Sequence, residues 1–467
     1  MGQAPKKLDP TTSPAAMFGS RLRDARNDRG LSLAALGRAV HVSGDLIGKI
    51  EKAERSPALD LVARLDVILC AHGDLVRLAE LLRAPETMAK ASLTAVRWAR
   101  EVSRASQEIV IETPAGRYFD GAMTPAVVLP AQLVDGQVVA TEIIGTRPQS
   151  VGRLARRLIV TAVHGPDRPR FFGVDTTRRR LPPFAQADPV RVPIAYELDD
   201  LTLGLLWAIT NLDDALLEDD SVLADTVGTR SGTVAVRDAG SELSAVSQMW
   251  LGSSFCASHI LRNAGVLSST PQYWTAERSG EETSGWLLFA HKFAYLQRTS
   301  VLVTGAAAPS RTFCLPTPIT DSMPDRVLLL LTVALMESFG IRVEVTTDAE
   351  FAVVPGFVLD RDDHAIVANW VRGDELWHVD IMREGGAVGE FSSVIRDSSH
   401  HSILRALDPR QRLRTLSEFL SIDWLWLVSR CGALAQVGLT PFIRPRSRLL
   451  SLAGADRACQ FIAYCGK

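Results

Sequence analysis

Between Phe18 and Ile68 the apolar residues recur every three or four positions, with short polar interruptions. That pattern predicts a small all-helical domain. Phe18, Leu22 and Ala25 form the buried side of a first helix, which Gly30 stops after Arg29. Ser32 stands where a hydroxyl can accept from a free amide of the next helical turn. Leu33, Leu36 and Val40 give that second helix its apolar side. His41, Val42 and Ser43 read as a turn in which Val42 is buried and Ser43 caps a third helix, with Ile47 and Ile50 facing inward. Leu59, Leu61, Leu65 and Ile68 complete the core. Residues 1–16, with Pro5, Pro10 and Pro14, read as a flexible arm, and residues 84–108 as a linker with a connecting helix over Thr94–Gln107. The helical domain is thereby bounded at 17–83.

Beyond the linker the period shortens. Ile109–Ile111, Ala126–Leu129 and Gln137–Ile144 are strand-like, with a turn at Asp135-Gly136. Arg153–Val163 has a basic, helix-like start and a strand-like end. Leu201–Leu217, Glu242–Gly265 and Trp286–Arg298 return to helical spacing. These make an α+β middle domain, 109–310. An α+β C-terminal domain, 311–467, follows from several further elements. They are an apolar helix Asp325–Phe339 stopped at Gly340, strands Ile341–Val345 and Ala352–Leu359, a hairpin over Ala365–Ile381, and helices over Arg410–Gly432 and Leu434–Val437. The fold class expected is multidomain: an all-α N-terminal domain followed by a large α+β module.

A third helix propped by two others presents a narrow polar face, and the major groove of duplex DNA, about 12 Å wide, admits one α-helix. The outward residues expected here are Gly44, Asp45, Gly48, Lys49 and Lys52. Lys49 can donate to guanine, and Asp45 can accept from a cytosine amino group. Ser43, Lys52 and Arg55 are placed for phosphates, where backbone amides at a helix start also help. Ser32 and Arg38, on the second helix, complete the expected DNA-binding set. Charge agrees in sign. The first 85 residues hold 13 basic and 10 acidic side chains, while the whole chain carries a net charge of -2, so any nucleic-acid contact is local.

The segment from Leu31 through Ser43, continuing without a gap through Ile47, Ile50-Glu51 and Glu54-Arg55-Ser56-Pro57 to Leu59, resembles the second helix, turn and recognition helix of Xre-type regulators. These are lambda-repressor-like (Cro-type) helix-turn-helix proteins, here of actinobacterial type. The resemblance covers about one seventh of the chain. It implies sequence-specific binding of double-stranded DNA as a homodimer on two half-sites. It also implies an internal ion pair between Arg26 and Glu51. Three positions depart from the family's habit: Leu33 replaces a phosphate-fixing glutamine, His41 a turn glycine, and Ala53 a glycine after the recognition helix.

The reading is therefore a cytoplasmic transcriptional regulator whose C-terminal module senses an unidentified small-molecule or protein effector, or serves in assembly. No catalytic residue, cofactor, metal or membrane partner is expected. The six scattered cysteines, with no CxxC pair, fit buried thiols in a reducing compartment. The N-terminus lacks a leader's apolar stretch, and the longest apolar run, Val327–Met336, is too short to span a bilayer.

Other constellations stand beside that reading. Arg153, Arg156, Arg157 and Arg178–Arg180 suit phosphates, the acidic stretch Asp213–Asp220, or solvent. Cys256 and His259, one helical turn apart, suit a thiolate or half a metal site as well as simple packing. The order of His364 and Asp380 loosely resembles transglutaminase-like cysteine hydrolases, though no cysteine stands near Ser322, and Cys314 lies early. Trp370, Trp377, Trp424 and Trp426 are candidates for a pocket lining. A DNA-targeted enzyme and a protein-interaction scaffold are the two rival readings.

Overall fold

Four helices build the N-terminal unit: α1 (Pro14–Asp28), α2 (Leu33–Ala39), α3 (Gly44–Glu51) and α4 (Leu59–Leu69). Two compact units divide the chain, Met1–Arg97 and Trp98–Lys467. The computed structural model describes residues 14–52, 55, 57, 59–69, 71, 75, 107–113, 115–116, 118–141, 156–164, 169–176, 189–229, 234–236, 243–267, 269–276, 280–301, 310–314, 322–348, 350–351, 354–360, 364–368, 376–383 and 385–466. The linker expected over 84–108 and its helix lie outside these, apart from residues 107–108. Helix α1 already begins at Pro14, inside the expected arm.

Local chemistry sets the boundaries of these helices. After α1, Gly30 takes φ +63°, and the amide of Leu31 returns to the Arg26 carbonyl at 3.1 Å, closing the helix in the left-handed manner glycine permits. The Ser32 hydroxyl accepts from the Ala35 amide at 3.1 Å and that of Ser43 from Leu46 at 3.2 Å, so both expected caps are made. Phe18, Leu22, Leu36, Val40, Ile47 and Ile50 are buried together with Leu61, Val62, Leu65 and Leu69 of α4. Ile68 is only half-buried, and the Leu59 side chain lies outside what is described. The buried Asp66 carboxylate accepts from the Leu75 amide at 3.0 Å, anchoring the chain after α4.

The second unit combines two sheets with buried helices. Strands β1 (Gln107–Thr113), β2 (Ala122–Val134), β3 (Gln137–Ala140), β4 (Leu158–Val163), β5 (Arg170–Asp175) and β6 (Arg191–Pro193) form one sheet. Its backbone is the long β2, antiparallel to β1 and β3 and parallel to β4. The hairpin turn has φ +49° at Asp135 and +74° at Gly136. Next come helices α5 (Asp200–Glu218) and α6 (Asp220–Thr229), β7 (Val234–Val236), α7 (Ala245–Asn263), β8 (Gln272–Ala276), α8 (Gly280–Leu288), α9 (Ala290–Ser300), β9 (Ser310–Cys314) and α10 (Met323–Ser338). Strands β10 (Arg342–Thr346), β11 (Gly356–Asp360), β12 (His364–Ala368) and β13 (Leu376–Met382) follow. Helices α11 (Gly385–His400), α12 (Pro409–Phe419), α13 (Trp424–Val437) and α14 (Ala453–Cys465) end the chain.

The second sheet runs β10-β9-β8-β11-β12-β13-β7, with β9 parallel to both its neighbours. Strands from both sides of residue 310 thus share one sheet, and the boundary expected there runs through it. Helix α10 is buried on all sides from Val327 to Glu337, which explains its unbroken apolar run: it packs against α5, α8 and α14 at the centre of the unit. Buried ion pairs tie distant segments together. Arg412 forks onto Glu337, with Nε to Oε1 at 2.7 Å. Arg156 meets Asp175 and Asp213, which settles the expectation for that one arginine as internal pairing.

Two expected helices are broken. Trp286–Arg298 splits at Phe289, whose backbone makes a β-bridge to Leu450. Arg410–Gly432 splits at Ser421, which has φ +55°, and Asp423 then caps α13 through the amides of Leu425 and Trp426. Among the described residues, no helix is long and apolar enough to cross a membrane.

Candidate nucleic-acid interface

Helices α2 and α3 cross where side chains are nearly absent. A Cβ on Gly37 would stand 2.8 Å from both the Gly44 nitrogen and the Val42 carbonyl oxygen. One on Gly44 would stand 3.0 Å from the Cα of Ala34 and from the Leu33 carbonyl carbon. Because backbone opposes backbone at both places, both glycines are required by the crossing. One turn on, a Cβ at Gly48 would meet only Leu33 Cδ1, at 3.5 Å. Gly44 and Gly48 therefore lie on the side of α3 toward α2, which corrects their expected place on an outward reading face. Leu33 also departs from expectation, since 36% of it stays exposed.

The turn between the helices holds His41 at φ +59°. This is the left-handed conformation that the missing glycine would have taken at little cost. The Val42 amide donates to the Gly37 carbonyl at 2.8 Å, and Val42 is half-buried.

About 100° further round α3, Asp45 and Lys49 are exposed and joined to each other, Nζ to Oδ2 at 2.8 Å. The hydrogen bond from Lys49 holds the Asp45 carboxyl below the usual carboxylate range. Residues expected to meet cytosine and guanine separately thus neutralise one another in the free domain. Lys52 caps α3 and Arg55 follows it. Both are exposed, as is Arg38 near the end of α2, and none of the three has an ion pair among the described residues. Ser32 and Ser43 are exposed with their hydroxyl oxygens used as caps. The amides of Gly44 and Asp45 open α3, where a helix offers no internal acceptor.

The base of α3 is locked. Arg26 places Nε 2.5 Å from Oε1 of Glu51 and Nη2 3.0 Å from Oε2, while its Nη1 donates to the Leu31 carbonyl at 2.8 Å. The expected internal pair is present, and Glu51 raises the Arg26 pKa above the usual guanidinium value. Arg23 adds a donation to the Glu51 carbonyl at 3.2 Å. Sequence reasoning missed Arg23, although its spacing three residues before Arg26 puts it on the same helix face. It also missed Gly19, where a Cβ would lie 2.7 Å from the Glu51 carbonyl oxygen.

The other candidate chemistry is dispersed. Burial pushes the Cys256 thiol up to about 12, which keeps it protonated, and the His259 ring lies tilted against Phe255 at 4.3 Å between ring centroids. Among the described residues no three metal-ligating side chains cluster. In the β12–β13 pair Asp380 opposes Val367, and across β11 His364 opposes Asp360. His364 and Asp380 are therefore three positions out of register, and Cys314 lies on β9, separated from β12 by two strands. Trp424 and Trp426 are partly buried against the core. Trp370 and the Trp377 side chain lie outside what is described.

Residues 17–89 match the helix-turn-helix domain family. Among curated proteins and among solved structures, nothing matches the chain.

Proposed function

We propose that the helix-turn-helix domain at 17–89 binds duplex DNA sequence-specifically in the manner of Xre-type regulators. In this reading α3 enters the major groove, the chain acts as a cytoplasmic homodimer on two half-sites, and the second unit biases occupancy in response to an effector. The observation that carries the reading is the α2–α3 crossing. Two glycines and two serine caps seat α3 so that Asp45, Lys49 and Lys52 remain on its exposed side, with Arg38 and Arg55 flanking. Lys52, Arg55 and Arg38 then serve phosphates, and Lys49 and Asp45 exchange their mutual pairing for base edges. No catalytic step and no cofactor enters this reading. An effector acts only by binding DNA-competent and DNA-incompetent arrangements with different affinity.

The test is binding of the full chain to genomic duplex fragments across a salt series. Replacing Lys49 and Arg55 together by alanine should weaken binding at least tenfold. It should also flatten the dependence of log affinity on log salt by about one to two. Unchanged retention on DNA with the α1–α4 fold intact refutes the interface.

A further inference from the structure

Leu33, the first residue of α2, keeps 36% of its surface exposed beside an otherwise closely packed crossing. Its position is fixed at both ends. A Cβ on Gly44 would stand 3.0 Å from the Leu33 carbonyl carbon, and one on Gly48 would stand 3.5 Å from Leu33 Cδ1. The backbone of Leu33 therefore lies against the first turn of α3 and its side-chain end against the second. Residues four apart sit one above the other on a helix. The leucine thus runs along α3 in the channel that Gly44 and Gly48 leave by having no side chains.

Polar groups border that channel. Asp45 and Lys49 each stand about 100° further round α3 than the glycine before them, and both are exposed. Lys52 is exposed at the end of α3 and Arg38 near the end of α2. Leu33 is accordingly an apolar strip beside the row Asp45, Lys49 and Lys52. Cations on this surface suit a polyanion, but a leucine has no hydrogen-bonding group and cannot hold a phosphate. What a duplex offers an apolar side chain in the major groove is the C5-methyl group of thymine.

We propose that Leu33 reads thymine. With α3 in the major groove, its exposed methyl groups close on the C5-methyl of one thymine in each half-site, beside the base pair that Asp45 and Lys49 address. The inference rests on the DNA-binding reading above. It adds to that reading a specificity-determining residue on α2, where base contacts were drawn from α3 alone.

Duplexes selected from a random pool by the full chain provide the test, with deoxyuridine placed for each thymine in turn. Deoxyuridine keeps the hydrogen-bonding edge of thymine and lacks only the methyl group. In the unaltered chain, one such replacement per half-site should weaken binding about fourfold, the worth of one methyl group taken out of water. Leu33→Ala should bind the two duplexes equally. Leu33→Gln, polar and of similar length, should also bind them equally and serves should the alanine variant not fold. Leu33→Met should keep the preference for thymine. The ratio of the two affinities is the readout, and a leucine that merely packs α2 on α3 would leave that ratio unchanged in all three variants. An unchanged ratio in Leu33→Ala or Leu33→Gln overturns the proposal, as does the absence of any thymine whose methyl group matters. Failure of the chain to select any duplex would instead overturn the DNA-binding reading beneath it.

Discussion

Lys49 and Asp45 lie one turn apart on the exposed side of α3, with Nζ and Oδ2 separated by 2.8 Å. An exposed pair of this kind adds little to stability. Its importance is to binding, because Asp45 cancels one of the cations that face a polyanion. Asp45→Asn should therefore tighten binding of the full chain to random-sequence duplex several-fold at low salt, with the gain narrowing as salt rises. The same tightening should appear in the unaltered chain only under acid conditions. The pair depresses the carboxyl pKa, so the charge persists above that lowered value and is lost as pH falls through it. Identical salt curves for the two proteins would mean that this side of α3 faces away from DNA.

Gly44 and Gly48 occupy one side of one helix, yet alanine should have opposite effects at the two. At Gly44 the new methyl group would meet the Ala34 backbone at 3.0 Å, and backbone cannot move aside without shifting α2. Overpacking of that kind costs roughly 1–3 kcal/mol. At Gly48 the nearest atom is the far end of Leu33 at 3.5 Å, and alanine gains up to about 1 kcal/mol of helix propensity. Hydrogen exchange at 33–51 should accelerate in Gly44→Ala and slow in Gly48→Ala. A shift of the same sign in both would contradict the crossing geometry.

His41 offers a route to stabilisation. Its φ of +59° strains a side-chain-bearing residue by roughly 1–2 kcal/mol, of which glycine gives back part as chain entropy. His41→Gly should slow exchange at 33–51 by up to about fivefold, equivalent to about 1 kcal/mol, and His41→Val should accelerate it. Faster exchange in His41→Gly would show that the imidazole makes a contact that outweighs the strain.

The helical domain was legible because its signals are local. Ser32 and Ser43 cap within three residues, Gly30 stops α1 where it stands, and Arg26 and Glu51 occupy positions that a known pattern links. Gly44 misled for the opposite reason. Helical spacing alone cannot separate a glycine facing solvent from one pressed on another backbone, and only the angle at which α2 meets α3 decides. The same limit hid the second unit. Phe289 ends a helix because Leu450, 161 positions away, pairs with its backbone. Arg311 resembles any strand arginine until β8, α8 and α9 bring Tyr273, Trp286 and Tyr295 around it. Strands β8 and β9 are short and lie beside partners distant in sequence, so no turn signal marked either.

His291 provides a pH test confined to the second unit, because every tryptophan of the chain lies at or beyond Trp98 and fluorescence therefore reports that unit alone. Burial, with Lys292 as a lesser cause, holds the imidazole down to about 3, against about 6.5 in an unfolded chain. The unfolded state therefore binds the extra proton between those values. The stability associated with neutral His291 is complete above pH 6.5 and declines by about 1.4 kcal/mol per unit as pH falls toward 3. Other groups act in parallel. Asp213, whose carboxyl is raised by burial, pushes the opposite way as pH falls. The difference between the unaltered chain and His291→Gln isolates the histidine. Between pH 7 and pH 5 the unaltered chain should lose about 2 kcal/mol more than the variant in urea unfolding followed by tryptophan fluorescence. Parallel pH profiles for the two proteins would show that the imidazole titrates in the fold as it does in the unfolded chain, and would contradict its burial as a neutral base.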